Sequence, residues 1–133
     1  MIGFIDAVKM FYRRYTDFEG RSSRAEYWWV QLFYIIAFIV LAIPIGLSSG
    51  SSGEPNVLAM LPIGIFVLAG ILPMIAVQIR RFHDQDKSGW MLLLTLIPYV
   101  GGLIVMVFML LKGTSGPNRF GSDPLGNDAD TFS

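Results

Sequence analysis

Arg21, Arg24, Arg80, Arg81 and His83 stand in two short blocks, each with a carboxylate beside it: Glu26 in the first, Asp84 in the second. A guanidinium offers a planar fork of N–H donors that matches a phosphate or carboxylate bidentately. Two such blocks brought together would hold an anion, and basic pockets at the cytoplasmic edge of membrane helices hold phospholipid head groups in this way. The competing use is internal. Ion pairs such as Glu26–Arg80 or Asp84–Arg24 would tie the two blocks together and leave no fork free. His83 and Asp84 are adjacent, so on a helix they diverge by about 100° and make no acid–base couple. Ser22, Ser23 and Ser88 are accounted for by capping and turns. The chain has no cysteine and one histidine, which excludes a thiolate nucleophile, a thiolate zinc site and a multi-histidine metal site. No phosphate-binding glycine loop is present. The expectation is a non-enzymatic protein with no catalytic residue, metal or cofactor.

The elements that must position these blocks are apolar. Of 133 residues, 53% are hydrophobic and only 15% charged, far from the usual quarter. Three runs contain no Asp, Glu, Lys, Arg or His: residues 28–47, 57–79 and 90–111, of 20, 23 and 22 residues. About 20 apolar residues in helical conformation match a hydrocarbon core of about 30 Å, where every backbone amide must bond within the chain. Buried helices of a soluble bundle would show a polar stripe, and these runs show only scattered neutral groups such as Gln31, Gln78 and Thr95. A signal peptide is the other reading of the first run; its long leader and long apolar core exceed that pattern, although SSGSSG (48–53) offers small residues for cleavage. The chain is therefore expected to be an all-α, polytopic membrane protein with three transmembrane helices, at about 24–47, 57–81 and 88–111. No ionisable residue lies inside a run, which argues against an ion path.

Charge sets the orientation. Residues 1–26 hold five Lys/Arg, the first loop none, the second loop three, and the tail only Lys112 and Arg119. The positive-inside rule places the N-terminus and second loop in the cytoplasm and the C-terminus outside. Residues 3–16 read as an interfacial amphipathic helix, with Phe4, Val8, Phe11 and Tyr15 on one face and Asp6, Lys9 and Arg13 opposite; a helix packed against the span bundle from below fits the same pattern. Ser23 and Glu26 form a capping box that starts the first span near Arg24. Tyr27, Trp28, Trp29 and Trp90 are placed as an aromatic belt at head-group depth. Residues 48–53 (SSGSSG) read as a flexible turn. Residues 1–124 form a single membrane domain, and 125–133 a flexible tail.

The segments GRSSRAEYWW (20–29), RRFHDQDKSGW (80–90) and KGTSGPNRFGSDP (112–124) resemble the YhaH-like family of small bacterial inner-membrane proteins, a domain of unknown function (number 805). Phe82 and Met91 depart from the family's usual residues but stay apolar. The resemblance implies a multi-pass protein of the bacterial inner membrane and brings no activity with it. The expected role is a module that binds anionic lipid head groups or a partner membrane protein, itself included. An oligomeric transporter or channel component is the alternative. A zero net charge argues against nucleic acid as a partner. Arg21, Arg24, Arg80, Arg81 and His83 are the candidate anion ligands, with Glu26 and Asp84 as orienting or salt-bridge groups.

Overall fold

The computed structural model describes residues 2–48 and 56–125. The expected flexible segments at 49–53 and 126–133 lie outside the described residues. Four α-helices follow in order: α1 (Phe4–Arg13), α2 (Arg24–Ser48), α3 (Val57–Asp84) and α4 (Gly101–Leu110), with a 3-10 helix, Gly89–Leu96, between α3 and α4. The fold is all-helical among the described residues, apart from an isolated bridge between Asn118 and Gly121.

α2 starts where Ser23 Oγ accepts the Glu26 N–H at 3.2 Å, which is half of the expected capping box. α3 starts at Asn56, whose side chain accepts the Leu58 N–H at 2.9 Å. At 1.5 Å per residue both helices exceed the roughly 30 Å of a hydrocarbon core. Their most apolar stretches have mean hydropathies of 2.5 and 2.4, yet only 6% and 22% of those residues are buried. A core helix of a soluble protein would hide such residues. Here Ile35, Ile39, Ile43, Ile65 and Leu68 all point outward. Phe66 of α3 holds the pair together by meeting Phe33, Tyr34 and Phe38 of α2 with ring centroids 5.0 to 5.7 Å apart.

The third apolar run corrects the sequence reading, because it is not one helix of spanning length. It breaks at residues 97–100. Pro98 has no N–H to donate and disfavours helical backbone at the residue before it, and Ile97 is extended (φ −69°, ψ 120°). Tyr99 then turns through a left-handed φ of 69°. Gly101 makes the reversal possible, because a Cβ there would collide with the Leu94 and Thr95 backbone. The two legs return to one level. Gly89 begins the first leg against Ile79 of α3. The second leg ends where Gln85 donates to Phe108 O and Arg81 donates to Leu111 O at 2.8 Å. At about 2.0 Å per residue for the first leg and 1.5 Å for the second, each is about 15 Å long, against the roughly 30 Å thickness of a hydrocarbon core. The hairpin thus keeps residues 111–125 at the end of the bundle that holds the N-terminal segment. In place of the single helix expected at 88–111, the run forms a hairpin of two short helical legs.

The remaining core sits at that same end, where Phe11, Tyr27, Val30, Val77, Phe82, Val105 and Met109 form one cluster. α1 joins it through Ala7 and Phe11, both fully buried, and through Phe4, whose ring meets Trp29 edge-on at 5.9 Å. Its Ile5 and, just beyond its end, Tyr15 face outward.

Gly101→Ala should destabilise the purified protein by about 1–3 kcal/mol, since the new methyl meets backbone that has nowhere to move. Gly102→Ala, where nothing stands within 4 Å, should be neutral or stabilising by up to about 1 kcal/mol. Thermal unfolding in detergent distinguishes the two, and equal melting temperatures would mean the hairpin is not tightly turned.

Candidate functional site

The two basic blocks do converge, at the core end of the bundle, and they are buried. Arg80 and Arg81 are fully inaccessible, and Arg21, Glu26 and Asp84 are 3% to 5% exposed. Moving a charge of either sign out of water costs several kcal/mol unless it is paired and its hydrogen bonds are met. The geometry meets most of that demand internally.

Asp84 is the centre. One carboxylate oxygen accepts from Arg21 Nε at 3.0 Å and stands 2.9 Å from Arg21 Nη2. The other accepts from Arg81 Nη1 at 2.7 Å. The remaining Arg21 donors reach backbone carbonyls of the tail, at Thr114 and, at 2.7 Å, Gly116. Thr114 N–H returns the contact to Asp84 O at 2.6 Å. Gly113 has to be glycine for this approach, because a Cβ would occupy the space of the Asp84 carboxylate. Arg81 also donates through Nη2 to Met109 O at 3.2 Å and Leu111 O at 2.8 Å, closing the end of α4.

Arg80 turns the other way, toward α1. Its Nε donates to Ser22 Oγ at 2.8 Å, and its Nη1 to Arg14 O and Asp17 O at 3.0 and 2.8 Å. Nη2 faces Glu26 Oε2 at 3.5 Å, too far for a good hydrogen bond, and neither atom has another partner. Next to Arg80, Arg14 pairs with Asp17 at 2.8 Å. Partial burial pushes the Asp17 carboxyl up, but the Arg14 side chain and the Glu19 N–H outweigh it and hold the group below its ordinary value.

Of the two ion pairs weighed from sequence, Glu26–Arg80 is present, and Asp84 takes Arg21 and Arg81 instead of Arg24. Arg24 is half-buried at the rim and donates to Leu110 O at 3.0 Å. His83 Nδ1 lies 2.9 Å from Gly20 O, and its ring stacks on Phe120 at 3.9 Å. The expected aromatic belt is largely turned inward: Tyr27 is in the core, and the Trp28 and Trp29 indoles donate to Met109 O and Ile2 O, both at 3.1 Å. Burial at the packed end of the bundle makes those backbone acceptors a better partner than an interface. Trp90 alone of the four is strongly exposed. Sequence reasoning missed Ser22, Gln85 and the whole acceptor set of residues 114–121. The signal was the glycine spacing of the tail, where Gly116 and Gly121 adopt left-handed φ values of 76° and 133° and turn carbonyls inward.

Two helices long and apolar enough to cross a bilayer, with outward-facing apolar side chains and a polar, ion-paired cap at one end, define a small helical membrane protein. Residues 15–122 match the family model described as protein of unknown function (DUF805). This chain belongs to that family. It is 42% identical over 112 residues to the inner membrane protein YhaI of Escherichia coli K12, covering 84% of this chain and 89% of that protein. It is 43% identical over 113 residues to the inner membrane protein YhaH of the same strain, covering 84% and 90%. No solved structure matches.

Removing Asp84 strands two buried guanidinium groups. Asp84→Ala should cost about 3–5 kcal/mol. The exposed Arg119–Asp86 pair, at 3.3 Å, is the control, and Arg119→Ala should cost less than about 1 kcal/mol. Chemical denaturation of both variants in the same detergent reads the difference, and similar losses would mean that the buried lattice carries no special weight.

Proposed function

We propose that this chain is a non-enzymatic module of the bacterial inner membrane. In this reading α2 and α3 cross the bilayer, the third run dips in and returns, and a cap built on the arginine lattice rests against anionic head groups on the cytoplasmic face. The observation that carries it is the charge map. With the tail folded back, all ten Lys and Arg residues belong to segments at one end, whereas the connection between α2 and α3 holds only Glu54 in its sequence. That asymmetry is stronger than the one the sequence reading obtained by placing the tail outside, and it agrees with the positive-inside rule without exception.

The lattice divides the basic residues by role. Arg21, Arg80 and Arg81 are buried in the lattice, with most of their donors bonded, and hold the cap together. Lys9, Arg13, Arg24, Lys112 and Arg119 lie outside the buried core and supply the attraction to anionic lipid, about 1 kcal/mol for each one near the surface. α1, pinned at its end by Arg80, lies along the interface with Ile5 and Tyr15 toward the acyl region.

The absence of native cysteine makes the topology testable with single probes. A membrane-impermeant maleimide applied to intact spheroplasts should label Ser48→Cys and leave Thr16→Cys and Ser115→Cys unlabelled until the cells are lysed. Labelling of Ser115→Cys before lysis would restore a third crossing and overturn the reading.

A further inference from the structure

A cleft of about 820 Å³ opens beside the lattice. One wall is α1, through Asp6, Lys9 and Arg13. The floor includes Ser23 and Glu26, and the facing wall is the tail segment 120–125. None of these side chains takes part in the lattice except Glu26, and at Glu26 the lattice leaves a carboxylate oxygen without a hydrogen bond. The residue is 4% exposed, yet Oε2 accepts no hydrogen bond, and Arg80, its ion-pair partner, stands off at 3.5 Å. A buried carboxylate oxygen without a donor costs free energy that a ligand donor would recover. On the α1 wall the situation is reversed. Lys9 and Arg13 are exposed, one helical turn apart on the same face, and neither forms an ion pair among the described residues.

The cleft therefore presents free cations on one side and an unmet carboxylate on its floor. A simple anion would satisfy the first and be repelled by the second, and a simple cation would do the opposite. A small group carrying both charges satisfies both. We propose that this cleft binds a phosphorylated primary amine, with its phosphate on Lys9 and Arg13 and its ammonium on Glu26. The shared chemistry is the phosphoethanolamine group, whether free in solution or as the head of a phospholipid. The proposal deepens the head-group reading above and depends on it only for the lipid source.

Calorimetric titration of the full chain in a neutral sugar detergent tests it, using O-phosphoethanolamine, phosphocholine and inorganic phosphate as probes. Nanodiscs containing phosphatidylethanolamine or phosphatidylcholine form the lipid arm. Phosphoethanolamine should bind at least about tenfold more tightly than phosphocholine, which has no N–H to give Glu26, or than phosphate alone. Lys9→Ala combined with Arg13→Ala, both at exposed positions, should weaken it by about tenfold or more. Glu26→Gln should abolish the preference over phosphate. Because Glu26 also faces Arg80, the phosphocholine comparison tests the same contact without altering the protein. Binding of the free compound identifies a soluble source. Selective retention of phosphatidylethanolamine with no binding of the free compound identifies the lipid, and the double variant should lose that retention. The proposal is overturned if phosphocholine or phosphate binds as well as phosphoethanolamine, if the double variant binds normally, or if neither arm shows binding. The maleimide experiment reads topology alone, so failure of either conclusion is visible separately.

Discussion

A guanidinium taken out of water must find an acceptor for nearly every N–H it carries, and the rest of this structure follows from how Arg81 and its neighbours do so. One carboxylate, Asp84, serves two arginines with its two oxygens. Two carboxylates are too few for three buried arginines with five N–H groups each, so the balance comes from backbone carbonyls. Carbonyls that are free to accept are found at helix ends and in turns, since those inside a helix are already bonded. The burial of Arg21, Arg80 and Arg81 therefore requires chain ends and turns to gather around the end of α3. They do: the last turn of α1, the segment 20–23, the end of α4 and the tail at 114–121 all contribute.

The same requirement accounts for the hairpin from the other direction. A helix leaves its last four carbonyls without intrahelical partners, and in an apolar setting each is costly. At the end of α4 the carbonyls of Phe108, Met109, Leu110 and Leu111 receive Gln85, Arg81 with Trp28, Arg24, and Arg81 with Gln85. α4 thus ends where donors are concentrated, and the donors are satisfied because α4 ends there. Had the run continued to the far side, Arg81 would lose two acceptors, and residues 114–121 would be too distant to receive Arg21. The polar tail and the arginine blocks hold each other at one end of the bundle.

This division of labour bears on function. Arginine pairs at a membrane edge suggest a ligand site on chemical grounds, but the most deeply placed ones here are spent on architecture. Their product is a fixed platform that holds α1 and the tail apart as two walls. Of the polar groups left without a partner, the Glu26 oxygen belongs to a residue that lines the cleft between those walls, as do the outward cations of α1.

Some of this was legible in the residues alone. The charge-free lengths of 28–47 and 57–79 dictate helices, because a backbone in hydrocarbon has no other way to pair its amides, and Ser23 marks where the first begins. The grouping of arginine with carboxylate in GRSSRAE and RRFHD showed that the blocks could meet, and the Glu26–Arg80 pair was among the options. Sequence did not decide the third run. Its composition satisfies a single span as well as a hairpin, and Pro98 is as compatible with a kink as with a reversal. The choice rests on long-range partners, the Gly101 approach to Leu94 and the Arg81 bonds to Met109 and Leu111, which are close only once the chain has folded. Nor did sequence decide which arginine takes Asp84, since Arg21 and Arg24 are equally near it in the pattern and differ only in which side of the cap they occupy. Local periodicity and hydrophobicity are properties of a segment and can be read from it. The pairing of buried charges is a property of several chain ends at once, and only the tertiary structure holds those ends in place.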